Sequence, residues 1–245
     1  MTGEENGWVK SADAWIADMG HEGDFGRKHI LDTPMLARAA LAAERGGTRA
    51  LDVGCGEGRF CRMLAGRGWD VIGLDPVPRM LQAAQSHTDT ACYVRGHGER
   101  LPFESEAFHL VVSYLSLLDL DGFDAAVAEM ARVSAPGGSV LVANLNPFVT
   151  ANPFHTWIED GKGGKLFPID HYPDARADWV GWRGIHVRNW HRPLETTMSA
   201  FIGAGLTLTH YGEPLPTGGD PARVARQKRV LWFHIMEWAK PAERP

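Results

Sequence analysis

Between residues 49 and 144, short apolar runs recur at regular intervals and alternate with stretches whose apolar residues are spaced three and four apart. The runs near 49–53, 70–74, 91–95, 108–113 and 138–144 are too short for helices and are bounded by glycine and polar residues, so they predict strands. The stretches 58–67, 77–86 and 122–133 predict the helices that join them. Strand, helix and strand in this rhythm make βαβ units, and hence a parallel sheet buried on both faces. Ahead of it, Thr33-Pro34-Met35-Leu36-Ala37 offers an N-cap, a proline at the first helical position and an amphipathic helix, which Gly46-Gly47 ends. Residues 146–197 break the rhythm. They are rich in glycine, proline, tryptophan and histidine and too long for an ordinary connection, which predicts a substrate-covering insertion. Regular structure returns with a helix at 194–204 and strands at 207–212 and 229–238. The reading is one domain over 1–245: a helical cap to 46, a cofactor-binding core over 47–145, the insertion over 146–197, and a helix and strands completing the sheet over 198–245.

Composition narrows this picture only where it excludes something. The chain carries 25 Lys+Arg against 30 Asp+Glu, a formal net charge of -5, which argues against a broad electrostatic grip on nucleic acid. Its main basic cluster, Arg223, Arg226, Lys228 and Arg229, reads as a solvated helix face. Cys55, Cys61 and Cys92 are odd in number and lack metal-ligand spacing, so neither a disulfide framework nor a metal site is expected. No basic segment leads into an apolar stretch, and no run of about 18 apolar residues occurs. A cytoplasmic protein without membrane contact is the expectation.

The chemistry concentrates in Leu51-Asp52-Val53-Gly54-Cys55-Gly56-Glu57-Gly58-Arg59-Phe60, followed by Val71-Ile72-Gly73-Leu74-Asp75. A buried strand, a glycine loop and a second strand ending in a carboxylate form a nucleotide-type cofactor site. The glycines let the backbone turn sharply and approach a ligand, Cys55 keeps the loop side chain small, and the next helix points its free N–H groups at that ligand. Asp75, about 20 residues beyond the loop, stands where such folds bind ribose hydroxyls. It can also cap the helix that begins near Pro76, and the two roles are compatible. An NAD-dependent dehydrogenase shares these parts but more usually spaces its glycines as Gly-x-Gly-x-x-Gly, whereas here they alternate.

The same run resembles the first motif of class I S-adenosylmethionine-dependent methyltransferases. Further motifs follow in that family's order: Gly73-Leu74-Asp75 at the ribose, Gly98-Glu99-Arg100-Leu101-Pro102-Phe103 beside adenine, Phe108 to Ser113 as the fourth strand, and Arg132 to Val142, with Pro136-Gly137-Gly138, as the turn into the fifth. The resemblance implies an α/β, Rossmann-like, doubly wound, mostly parallel seven-stranded sheet whose antiparallel last strand lies beside the fifth. It implies S-adenosyl-L-methionine as cofactor and S-adenosyl-L-homocysteine as product. Asp52 would then meet the ligand's ammonium, Gly54 and Gly56 would offer backbone contacts, and Asp75 would hold the ribose. Pro76 and Met80 would line the adenine pocket, where Gly98 would present its N–H beside Glu99. His97 stands where the family commonly has an aspartate that accepts the adenine amino proton; either a neutral imidazole nitrogen accepts the same bond or His97 is an exposed histidine of the turn. Ser113 ends the strand that passes under the reactive methyl. Some relatives place an arginine before the first strand to pair with the methionine carboxylate, and Arg27 is the candidate, against an ordinary surface ion pair. Trp15 either closes over the site or anchors the first helix.

Methyl transfer from a sulfonium demands orientation, exclusion of water and, for a weakly acidic acceptor, a base. The insertion offers His171 first and His155 second as that base, interleaved with aromatics that suit an apolar or aromatic acceptor. The expected activity is transfer to an oxygen or nitrogen of a small metabolite by a monomer or homodimer. The alternatives are an NAD-dependent oxidoreductase and a cofactor-binding protein without transfer activity.

Overall fold

The computed structural model describes residues 6–87, 91–154 and 156–242. Helix α1 (Trp8–Met19) precedes a longer helix that starts at Asp24, whose carboxylate accepts the Arg27 N–H at 2.8 Å. That helix widens into a π turn over Arg27–Leu31 and continues as α2 (Asp32–Glu44). The expected N-cap at Thr33 is therefore wrong: the cap is Asp24. Pro34 lies inside the helix, where it has no N–H to give and its ring crowds the carbonyl of Ile30, so the backbone opens into the wider turn just before it.

The core then runs β1 (Arg49–Val53), α3 (Arg59–Ala65), β2 (Asp70–Asp75), α4 (Pro78–Gln85), β3 (Cys92–Arg95), β4 (Phe108–Tyr114), α5 (Phe123–Val133) and β5 (Ser134–Leu145). Strand β5 begins earlier than its sequence suggests. Pro136-Gly137-Gly138 forms an irregularity within the strand, where the register jumps from Phe108 opposite Ser134 to Leu110 opposite Ser139. Gly137 adopts φ 75° there.

Residues beyond 145 form α6 (Pro147–Thr150), a small hairpin of β6 (Ile158–Glu159) and β7 (Lys165–Leu166), and a longer hairpin of β8 (Arg176–Trp182) and β9 (Ile185–His191). The chain rejoins the core through α7 (Leu194–Gly203), β10 (Thr207–Gly212), α8 (Pro221–Arg229) and β11 (Phe233–Ala239). The last strand thus starts later than expected, because Arg229 ends a helix. Asp220 caps that helix by accepting the Arg223 N–H.

Seven strands align in the order β10-β11-β5-β4-β1-β2-β3. Pairings among β1 to β5 are parallel, and β11 runs antiparallel beside β5. Successive strand residues face opposite layers: Leu110 and Val112 pack with α2 and α3 residues such as Met35 and Leu64. Val111 packs with Val127 and Met130 of α5. Buried Trp238 stacks on Phe201 with ring centroids 4.9 Å apart. The strand order reverses between β1 and β4, and a crevice outside the carboxyl ends of strands at such a point is where open α/β sheets bind ligands.

Candidate active site

The loop from Gly54 to Gly58 leaves β1 at that switch point. Gly54 and Gly56 take φ 77° and 54°, a left-handed backbone that side chains disfavour. At Gly54 a Cβ would also stand 2.4 Å from that of Ser116. Asp75, buried at the end of β2, accepts the Gly56 N–H on one carboxylate oxygen and the Val77 N–H on the other, each at 2.9 Å. Each oxygen keeps a lone pair for a further donor. Burial pushes this carboxyl up to about 6 against the pull of those two bonds.

Asp52 is 1% exposed. One of its oxygens accepts the Cys61 thiol at 3.4 Å, and the other has no hydrogen-bond partner among the described residues. Burial pushes its carboxyl up to about 7; the Cys61 thiol opposes the shift, and the charges of Asp75 and Glu57 add to it. An orphaned buried carboxylate oxygen is costly unless a donor arrives, so Asp52 suits a cationic ligand group. Against its hydrogen bond with Cys61, burial and the neighbouring carboxylates push the Cys55 thiol up to about 11, and burial also lifts the Cys61 thiol well above its ordinary range.

A cavity of about 110 Å³ lies over the loop. Arg27, Asp52, Gly54, Cys55, Gly56, Asp75, Pro76 and Met80 all line it, so eight of the expected cofactor residues come together. Arg27 gives Nη1 to Asp24 at 2.9 Å and packs against the rings of Trp15 and Tyr114. Helix α1 roofs the cavity, with the Trp15 indole donating to Glu57 at 3.0 Å.

Four expected residues do not join them. His97 is exposed in a turn, and Gly98 and Glu99 lie behind Leu120 and Gly122. Ser113 is fully buried and spends its hydroxyl on Ser116 at 2.8 Å and on the Leu117 N–H at 3.2 Å. It is a brace for the turn after β4. Of the two histidines expected as base, His155 lies outside the described residues. His171 points away from both cavities: its side chain is 71% exposed and lies 3.1 Å from Asp174. A turn with φ 50° at His171 and two flanking carboxylates hold it at the surface.

A second cavity of about 840 Å³ adjoins the first and shares Trp8, Trp15, Arg27, Leu115 and Asp119 with it. Seven of the chain's nine tryptophans line it. Four come from the insertion, three of them from the β8–β9 hairpin, Trp8 and Trp15 from α1, and Trp232 from the approach to β11. The junction residue Asp119 escaped the sequence reading because the only signal for it is position: an acid shortly after the fourth strand, on the edge that carries the loop. His191, inside the insertion, is 1% exposed. It bonds Thr150 at 2.7 Å and the Tyr172 carbonyl at 2.8 Å, tying β9 to α6. Among the described residues no group of three or more His, Cys, Asp or Glu could hold a metal ion, and no helix is long and apolar enough to cross a membrane.

Sheet order, glycine loop and terminal carboxylate define a Rossmann-like nucleoside-cofactor protein. Its kinship is more specific. The methyltransferase domain family matches residues 51–142. A malonyl-[acyl-carrier protein] O-methyltransferase of Serratia marcescens is 35% identical over 176 residues, 70% of this chain and 69% of that protein. A demethylmenaquinone methyltransferase of Renibacterium salmoninarum is 34% identical over 178 residues, 63% of this chain and 75% of its own. The crystal structure of an S-adenosylmethionine dependent methyltransferase from Mesorhizobium loti matches with a TM-score of 0.72 at 28% identity, covering 83% of this chain and 96% of that one. The chain belongs to the class I S-adenosylmethionine-dependent methyltransferases, and its cofactor is S-adenosylmethionine.

Proposed function

We propose that the chain methylates an oxygen or nitrogen of a small aromatic or apolar metabolite held in the tryptophan-lined chamber. The observation that carries this reading is the junction of that chamber with the glycine-loop cavity. Aromatic walls interspersed with charged and polar side chains suit a flat ligand that carries polar substituents. In this reading Asp75 offers its free lone pairs to the ribose hydroxyls, Asp52 faces the ammonium, and the Arg27 fork takes the methionine carboxylate. The cofactor supplies an activated methyl on a sulfonium, and the chain supplies alignment and a dry enclosure. The relatives' printed acceptors, a malonyl thioester and a demethylmenaquinone, lie within or beside this class. Basic side chains on the chamber wall, Arg183, Arg223 and Arg226, would also suit a carboxylate-bearing acceptor, so malonyl thioesters belong in the test.

Calorimetry with S-adenosylmethionine, S-adenosylhomocysteine and NAD comes first. Micromolar-range binding of the first two, and none of NAD, is expected. A panel of hydroxylated and amino aromatics and malonyl thioesters then reports turnover. Binding without turnover of any acceptor would favour a protein that holds the cofactor and transfers nothing.

Affinity should also depend on pH. Asp52 without ligand keeps its proton up to about pH 7, and an arriving ammonium favours the charged form, so binding expels that proton. Affinity for S-adenosylhomocysteine is therefore expected to rise from pH 5.5 to about 7, by up to about tenfold per unit, and to flatten above. Asp52→Asn should abolish the slope above about pH 6, where Asp75 has already lost its proton. A slope between about pH 6.5 and 7 that persists unchanged in that variant would remove Asp52 from the ammonium site.

A further inference from the structure

Asp119 ends the short 3-10 turn Leu117–Asp119 and stands in the wall common to both cavities. The chain reaches it through Leu115, whose φ of 58° is a strained setting for a residue with a branched side chain. Leu115 also lines both cavities. Ser116 donates to the Val53 carbonyl and Ser113 accepts the Leu117 N–H, which pin the turn to β1 and β4. Arg192, beyond β9, reaches the carbonyls of Leu117, Leu120 and Asp121 and braces it from the other side. The Asp119 carboxylate accepts the Asn189 side-chain amide from β9 at 2.5 Å, and the Trp8 indole of α1 stands in the same wall. The turn and β9 thus aim one acid at the junction, and the one bond leaves it lone pairs to spare.

Resting on the methyltransfer reading above, we propose that Asp119 takes the proton from a hydroxyl of the acceptor, which makes that acceptor a hydroxylated aromatic and not an amine. The acceptor oxygen forms its bond to the methyl carbon and releases its proton to an Asp119 oxygen. The methyl-to-sulfur bond breaks with its electron pair going to sulfur, which leaves as a neutral thioether. One carboxylate charge and one sulfonium charge disappear together. The chamber's own charges point the same way: Arg27, Lys165, Arg183, Arg223 and Arg226 line it against Asp24, Asp119 and Asp178, an excess of cations that favours an acidic ring whose hydroxyl gives up its proton over a neutral arylamine, which gains nothing from them. Charged groups facing Asp119 are Arg27 from the π turn, Asp75 from β2 and Arg192. Burial dominates them and pushes its carboxyl up to about 8; the bond from Asn189, the nearby Trp8 indole and the charge of Arg27 oppose the shift, while Asp75 adds to it. A base with that affinity for a proton is matched to a weakly acidic hydroxyl.

The test compares the full-length wild type, Asp119→Asn and Asn189→Ala on 4-hydroxybenzoate, its 3-nitro derivative and 4-aminobenzoate. Binding of S-adenosylhomocysteine is measured alongside by calorimetry. The wild type should methylate the two hydroxy acids and spare the amine, with kcat/KM rising through a limb near pH 8. Asp119→Asn should lower kcat on 4-hydroxybenzoate by about 100-fold or more and lose that limb. On the nitro derivative, whose hydroxyl arrives ionised, it should lose less than about tenfold. Asn189→Ala, which removes a bond that favours the charged carboxylate, should move the limb to higher pH. Equal losses on both hydroxy acids, a limb that survives Asp119→Asn, or methylation of the amine alone would overturn the proposal. So would S-adenosylmethionine binding without turnover of either hydroxy acid. Failure of the wild type to bind S-adenosylmethionine would instead sink the underlying methyltransfer reading.

Discussion

Asp75→Ala is expected to weaken S-adenosylmethionine binding by about 100- to 10,000-fold, because two hydrogen bonds to a charged group are each worth about 1.5–3 kcal/mol and about 1.4 kcal/mol is a factor of ten. The loss is large because the carboxylate is already fixed: its two bonds to Gly56 and Val77 orient the remaining lone pairs before any ligand arrives. Burial of that carboxyl gives the variant a second, smaller signature. In the wild type the Asp75 proton is held up to about pH 6 in the folded state against about 3.9 in the unfolded chain. The folded state therefore binds more protons between those values, and this group's contribution to stability is lost as pH rises through about 6. The alanine variant lacks that slope. Calorimetry at pH 7.5 and thermal melts from pH 4.5 to 7 would check both. A folded variant with unchanged affinity would remove Asp75 from the cofactor site.

The sheet was legible because each buried strand must be short and apolar, and each crossover helix must show its own period. The glycine loop was legible because its backbone demands residues without side chains. Eight residues that line the glycine-loop cavity followed from that loop, from the family's motif order and from one arginine ahead of the first strand. What the sequence left open depended on direction or on long-range packing. His97 and Ser113 sit at the expected positions in the chain, yet one faces solvent and the other braces its own turn. His171 could not be distinguished by sequence from a lid histidine that faces inward. The helix start misread at Thr33 shows proline's two roles: at the first helical position it begins a helix, and further in it distorts one already under way. Asp119 and Asn189 are 70 residues apart, and nothing local announces that they meet.

Asp32→Ala should be among the most destabilising single changes in the chain. Asp32 binds Arg59 through both oxygens, at 2.9 and 2.5 Å, and also accepts the Tyr114 hydroxyl at 2.9 Å. Burial works against the Arg59 charge, but the Asp32 carboxylate outweighs it and holds the guanidinium above its ordinary range. Removing the acid leaves a cation at 9% exposure with the Glu22 carbonyl in place of a counter-charge. Breaking such a pair from one side costs about 3–5 kcal/mol, which for a domain of this size lowers Tm by on the order of 10 °C. Glu159→Ala, at an exposed pair with Lys165, is the control and should change stability by less than about 1 kcal/mol. Denaturant midpoints at constant slope would compare the two, and equal shifts would refute a structural role for the buried pair. The pair also joins the helix that carries Arg27 to the helix that follows the glycine loop, with Arg59 and Tyr114 both in the wall of the glycine-loop cavity. Saturating S-adenosylhomocysteine binds only the assembled site, so it should raise the midpoint of Asp32→Ala as it does that of the wild type, at a higher ligand concentration. A variant that binds the ligand with wild-type affinity would mean that the N-terminal helices cover the cofactor cavity without helping to build it.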